Sequence, residues 1–318
     1  MKAVFMGTSD FAANCLLRII ESNTVDIVSV FVKPEKSLHR KRNKFPVKEI
    51  AQDRKIQVSI PYSFKEQDSI LYLENLKPDV IIVIDYGLIL PKNVLDIPLK
   101  GCFNLHASML PLLRGAAPIQ RAILNGMEKT GSTVMFMNEA LDAGEIAFQK
   151  QVKIEKNDDF ISLSKKLSSC GAELMVKLLK DLADEREVNK ILQDTDKVTF
   201  APKIRKEEGL IDWEKESSTI EREVRALIKW PGSFTKINLH GKDSLVKIKK
   251  AFPSNLNDSN DNTSLPGTIV SIDNNVLKVC AGNNTSLDIE KLQIEGKRVM
   301  NAQDIINGFQ LKKGDRFF

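Results

Sequence analysis

Between Asp79 and Asp85 the chain reads Val-Ile-Ile-Val-Ile, five β-branched residues without one polar interruption. A strand with one wet face alternates apolar and polar residues. A strand without alternation is buried on both faces, as in a parallel sheet covered by helices. The same run is the longest apolar stretch, far short of the roughly 20 residues that cross a bilayer. Met1 to Gly7 has no long apolar core and no cleavage pattern, so it reads as the start of the fold rather than a signal peptide. No membrane segment is expected.

The surrounding pattern agrees with a parallel sheet. Lys2 to Met6 reads as a strand, Gly7-Thr8-Ser9 as a turn, and Ser9 or Asp10 as the cap of a helix ending near Ile20. Ile27 to Val32 and Gln57 to Ile60 read as strands, with a helix starting near Pro46 between them. Ser69 to Leu76 is helical; Gly101 to Ala107 and Thr133 to Asn138 are further strands, with helical spacing from Ala116 to Asn125. Strands alternating with helices predict an α/β fold, a Rossmann-like doubly wound sheet. The first strand and turn carry no G-x-G-x-x-G, which argues against a nicotinamide cofactor.

Phe160 to Leu182 is a long amphipathic helix, and the chain becomes irregular and charged near Lys197 to Glu208. After a helix at Ser218 to Lys229 and a break at Trp230-Pro231-Gly232 come short strands: Phe234–Leu239, Ser244–Lys250, Gly267–Ile272, Val276–Ala281 and Ser286–Leu292. Short strands with turn signals predict a C-terminal OB-like β-barrel. Asn255 to Asn262 is polar and expected to be a loop. The expected division is residues 1–205 and 206–318, with a linker at about 190–205, in keeping with a 318-residue chain.

At 42% hydrophobic and 28% charged residues, the composition is that of a globular protein and excludes a disordered tail or a collagen-like fibre. The four cysteines, Cys15, Cys102, Cys170 and Cys280, form no C-x-x-C pair, and there are three histidines. Reduced thiols in a cytoplasmic protein are expected, with no metal site. The net charge of +5 is unevenly spread: Lys33 to Lys48 holds seven basic residues and one acid, whereas Lys206 to the end holds 17 basic and 16 acidic. A concentrated basic segment suits a polyanion, because neutralising phosphates releases counterions. A solvated loop without a partner has the same composition.

The chemistry-bearing stretch is GCFNLHASMLP, Gly101 to Pro111. In a strand, Asn104 and His106 share one face while Phe103 and Leu105 pack on the other. They sit at the carboxyl end, where open α/β sheets bind ligands. A second polar cluster, NEALDAGE from Asn138 to Glu145, offers Glu139, Asp142 and Glu145, among which spacing does not choose. An amide can donate to a developing oxyanion. A histidine, with an ordinary pKa of about 6.5, can move a proton at neutral pH. A carboxylate can orient the imidazole. With no G-x-S-x-G elbow and no placed nucleophile, the set suits direct acyl transfer to an amine.

The run FNLHASMLPLLRGAAPIQRAILNG, followed by TGSTVMFMNEALDAGEI, closely resembles the folate-dependent formyltransferases. The resemblance extends from VFMGTSDFA through DYGLILPKNVLDIP to TFAPKI, IDW, WPGSF and LQIEGKRVMNAQDIING. It implies a domain holding 10-formyltetrahydrofolate, a C-terminal domain that helps hold tRNA, and formyl transfer to the methionine of initiator methionyl-tRNA, releasing tetrahydrofolate. It places catalysis on Asn104, His106 and Asp142. It places folate binding on Ser108, Met109, Leu110 and Pro111, with Tyr86, Gly87, Leu88 and Ile89 lining the pterin pocket. It places tRNA contacts on Arg40, Lys41, Arg42 and Lys44. A monomer without metal is expected. The chain departs from the family at Met109, usually Leu, and at Leu112-Leu113, often Arg-Tyr. Its basic segment lacks the usual glycines. Rival readings are formyl transfer to an amino sugar or a glycinamide ribonucleotide, and a tRNA-binding protein without catalysis.

Overall fold

The computed structural model describes residues 1–34, 46–239, 241–256, 264–273, 275–309 and 311–318. Arg40, Lys41, Arg42 and Lys44 lie outside the described residues, as does most of the polar stretch after Asn255. The chain divides into two compact units. One comprises Met1–Pro118, Glu128–Ile154 and Ser162–Pro202; the other comprises Ile119–Met127, Glu155–Ile161 and Lys203–Phe318.

The first unit is built on β1 (Lys2–Gly7), α1 (Asp10–Glu21), β2 (Asp26–Phe31), α2 (Pro46–Asp53), β3 (Gln57–Ser59), α3 (Gln67–Leu76), β4 (Val80–Ile84), α4 (Lys92–Leu95) and β5 (Cys102–His106). Beyond α5 (Pro118–Leu124), which apart from Pro118 belongs to the other unit, come β6 (Lys129–Phe136), β7 (Ile146–Lys153) and α6 (Phe160–Ala183). The sheet order is β3-β2-β1-β4-β5-β6-β7. β1 to β5 are parallel, and β6 and β7 run antiparallel, so the sheet is mixed.

The apolar run at β4 is buried along its whole length. Ile81 and Val83 join a cluster with Val4, Met6, Phe31 and Leu73, while Val80, Ile82 and Ile84 are fully buried on the alternate positions. On β5, Leu105 meets α6 so closely that a Cβ on Gly171 would lie 2.6 Å from its Cδ atoms. That contact commits one face of β5 to packing and leaves Asn104 and His106 on the other. Ser9 caps α1, its side chain accepting from Ala12 N at 3.2 Å. β7 was not anticipated: IAFQKQVK is buried at its first two residues and half-buried or exposed beyond them, with Gln-Lys-Gln at its centre, as suits an edge strand.

The second unit contains α7 (Ser217–Ala226), β8 (Ser233–Leu239), β9 (Lys242–Asn255), β10 (Ile269–Asp273), β11 (Val276–Ala281), β12 (Thr285–Ile294), β13 (Met300–Asn301) and α8 (Ala302–Phe309). Its antiparallel sheet has the order β10-β11-β12-β9-β8, with β13 on β12. Residues 314–318 bond to both sides of this sheet. Ile269 N donates to Asp315 O at 2.8 Å, and Phe318 and Lys236 exchange a pair of bonds at 2.9 Å. The core includes Trp213, stacked on Phe317 with centroids 5.7 Å apart. β13 and α8 were not anticipated. No helix among the described residues is long and apolar enough to cross a membrane.

Candidate active site

β5 ends between a parallel and an antiparallel neighbour: Asn104 pairs with Val83 of β4 and with Met135 of β6, and His106 pairs with Thr133. Both side chains leave the same face and meet the turn between β6 and β7. Asn104 Nδ2 donates to Asp142 Oδ1 at 3.4 Å, a long bond. His106 Nδ1 lies 3.7 Å from Asp142 Oδ2, close enough for charge but not for a hydrogen bond. Gly115 N donates to the same Oδ2 at 2.8 Å. The imidazole and carboxylate are 7% and 9% exposed, so water screens the pair weakly. Of the three acids at Asn138–Glu145, Asp142 is the one that reaches the histidine; Glu145 lies 4.0 Å from Lys190 instead.

The second imidazole nitrogen fixes the tautomer. His106 Nε2 is 2.9 Å from Leu113 O. A carbonyl can only accept, so Nε2 carries a hydrogen and Nδ1 is the nitrogen turned towards Asp142. Three residues in these turns have left-handed backbone: Leu113 at φ 60°, Gly115 at 123° and Asp142 at 48°. For Leu113 and Asp142 this costs about 1 kcal/mol or more each, which the surrounding contacts must offset.

The loop after His106 is tied to the sheet by two side chains that sequence reasoning missed. Thr133, fully buried on β6, donates to Ser108 O at 2.6 Å and accepts from Leu110 N at 3.2 Å. Gln149 on β7 donates to Leu110 O and to Thr133 Oγ1, both at 2.8 Å. Thr130, Ser132 and Thr133 are all buried hydroxyls in the first five residues of β6, so the strand's own sequence does not single out Thr133. Ser108 Oγ donates within the loop to Leu112 O at 2.5 Å. Met109 lies across β6, where a Cβ on Gly131 would stand 2.3 Å from its sulfur. Leu110 is buried with Met135 and Ile146, and Pro111 follows it through a cis bond.

The other four expected folate residues follow β4. Tyr86 is buried in the core, its ring 6.4 Å from that of Phe64, and burial pushes its phenol above the usual range. Gly87, at φ 76°, makes the turn; Leu88 packs on the core, and Ile89 stands 90% exposed. All four cysteines are buried and unbridged, and burial raises the Cys102 thiol to about 12. Among the described residues no group of three or more His, Cys, Asp or Glu could hold a metal.

An amide, an imidazole and a carboxylate converge at the end of a parallel strand, the set of groups that group-transfer chemistry uses to hold an oxyanion and move a proton. The formyl transferase family matches residues 1–179, and its C-terminal domain matches residues 203–310. A methionyl-tRNA formyltransferase of Caldicellulosiruptor saccharolyticus is 42% identical over 318 residues, 99% of each chain. That of Bacillus subtilis is 36% identical over 316 residues, 99% of this chain and 96% of the relative. The chain belongs to the methionyl-tRNA formyltransferase family. Among solved structures, an N-formyltransferase from Helicobacter canadensis, in complex with folinic acid and dTDP-3-aminofucose, superposes with a TM-score of 0.65 at 17% identity, covering 91% of this chain and 98% of that one. HypX from Aquifex aeolicus, in complex with tetrahydrofolic acid, gives 0.63 at 16% identity, covering 100% of this chain and 50% of that one. These two likenesses concern the fold.

Proposed function

We infer that the chain transfers the formyl group of 10-formyltetrahydrofolate to the free amine of methionine on initiator methionyl-tRNA, yielding the N-formyl product and tetrahydrofolate. The observation that carries this reading is the approach of one carboxylate, Asp142, to both Asn104 and His106 in a chain that matches methionyl-tRNA formyltransferases along nearly its whole length.

The neutral amine attacks the formyl carbon, the new C–N bond forms, and negative charge collects on the formyl oxygen. Asn104 offers an amide hydrogen to that oxyanion. The amine must lose a proton and the departing folate nitrogen must gain one. His106 Nδ1 and the Asp142 carboxylate face each other and form the relay, while the bond from Nε2 to Leu113 O keeps the ring from turning. Collapse of the tetrahedral species breaks the bond to the folate nitrogen. Ser108 to Pro111, held by Thr133 and Gln149, and Tyr86 to Ile89 form the folate-binding side in this reading.

Residues 1–205 act as the catalytic domain and 206–318 as an OB-like tRNA-binding domain. The bonds from residues 314–318 to both sides of the antiparallel sheet support the barrel reading. Arg40, Lys41, Arg42 and Lys44 contact tRNA, and the enzyme acts as a cytoplasmic monomer. The decisive assay offers labelled formyl donor with three acceptors: charged initiator tRNA, an amino-sugar nucleotide and glycinamide ribonucleotide. Label is expected on the tRNA alone. Formylation of the sugar or the ribonucleotide in its place, or of no acceptor at all, overturns the assignment.

A further inference from the structure

The segment after α6 passes both turns of the site. Ile191 and Ile146 exchange antiparallel backbone bonds of 3.0 and 2.8 Å, which sets residue 193 across from residue 144. Further along, Arg114 and Phe200 form a parallel bridge, with Arg114 N donating to Thr199 O at 2.9 Å and Ala201 N to Arg114 O at 2.7 Å. Leu113 N donates to Thr199 Oγ1 at 2.9 Å.

Gln193 lies where the two turns come together, and its side-chain amide is used completely. Its Nε2 donates to Asp142 O at 2.9 Å and to Gly144 O at 2.7 Å. Its Oε1 accepts from Arg114 Nε at 3.1 Å and Nη2 at 2.7 Å. A guanidinium only donates and a peptide carbonyl only accepts, so one orientation of the amide satisfies all four contacts. Arg114 sits between the two residues that touch the relay: Leu113, whose carbonyl holds His106, and Gly115, whose N–H holds Asp142. Gly144 packs against the end of β6, where no side chain would fit, since a Cβ on it would clash with Phe136 O.

We propose that Gln193 is a positioning residue for formyl transfer: it clasps the Asp142–Gly144 turn to the Leu113–Gly115 turn and so sets the distance between the Asp142 carboxylate and the His106 imidazole. This rests on the proposed role of Asp142 in the relay. Both turns contain left-handed residues that relax towards ordinary backbone once the clasp is gone, and relaxation carries the carboxylate away from the ring. Glutamate cannot replace glutamine here, because it accepts from Arg114 but turns a carboxylate on two carbonyl oxygens.

Gln193→Glu and Gln193→Met, the second keeping the length and removing every hydrogen bond, should each lower kcat about ten- to a hundredfold, the scale expected when reacting groups are misplaced by about 1 Å. KM for formyl donor and for tRNA should stay within about twofold. The discriminating measurement is a double-mutant cycle with Asp142→Asn. If Gln193 acts through Asp142, then Gln193→Glu costs little further in the Asp142→Asn background. A wild-type kcat in either folded single variant, or a full and independent loss in the double variant, overturns the clasp. A near-normal rate for Asp142→Asn alone instead overturns the relay on which it rests.

Discussion

At the residue scale the site is a matter of which atoms are already taken. Asp142 spends Oδ2 on Gly115 N and offers Oδ1 to Asn104, and it is placed to do both by a left-handed backbone that a loop residue adopts only when its surroundings demand it. Among the described residues Asn104 uses its amide for one bond, to Asp142, and its second amide hydrogen has the property an oxyanion donor needs. Asn104→Ala is expected to lower kcat by about 100-fold or more while the fold is kept. Asn104→Asp, similar in shape but facing Asp142 with a second carboxylate, should do at least as badly. Steady-state formylation kinetics at saturating donor checks both; near-normal turnover in either variant removes Asn104 from the chemistry. The sequence made Asn104 and His106 visible because strand alternation puts them on one face, and Asp142 visible only through family resemblance. Thr133, Gln149 and Gln193 stayed hidden. Each acts through backbone groups far away in sequence, and no spacing rule encodes such a contact.

At the scale of elements, the strands with strong apolar content were legible: β4, β5 and β11 fall within one residue of their expected limits. β7 and β13 were not, because an edge strand and a two-residue strand draw their stability from neighbours rather than from their own pattern. The segment expected to be a linker contains a short helical turn at Thr195–Lys197, and a second turn just past it, Lys206–Gly209, ties back to α5. Arg121 makes a two-pronged pair with Glu208, at 2.7 and 3.1 Å, and Glu208 also accepts from Arg205 N at 2.7 Å. The Arg121 guanidinium, more than the backbone bond, holds the Glu208 carboxyl below the usual carboxylate range. In the unfolded chain that carboxyl titrates near its ordinary value of about 4.3. The stabilisation is therefore complete above that value and is lost as pH falls through the lowered folded value. Glu208→Gln should cost about 1 kcal/mol at pH 7, and the gap from wild type should close in acid. Urea unfolding at several pH values reads it; a gap that does not change with pH rules out the pair as its source.

On the scale of the whole molecule, charge and connectivity act together. The excess positive charge between Lys33 and Lys48 is expected to serve tRNA binding, so Arg40→Ala combined with Arg42→Ala should weaken binding. The slope of log affinity against log salt should become shallower by about 1.5, the counterions of two lost phosphate contacts. Unchanged affinity and slope in a binding titration take those residues out of the interface. The formyl transferase family's first match stops at residue 179, yet Gln193, Thr199 and Ala201 bond to the turns beside the three proposed catalytic residues. Anyone dissecting this enzyme along its family boundaries would cut away the segment that bonds to both of these turns. A minimal catalytic piece is expected to need the chain as far as Pro202, and a protease nick anywhere from 191 to 201 should be felt as lost turnover before it is felt as lost fold.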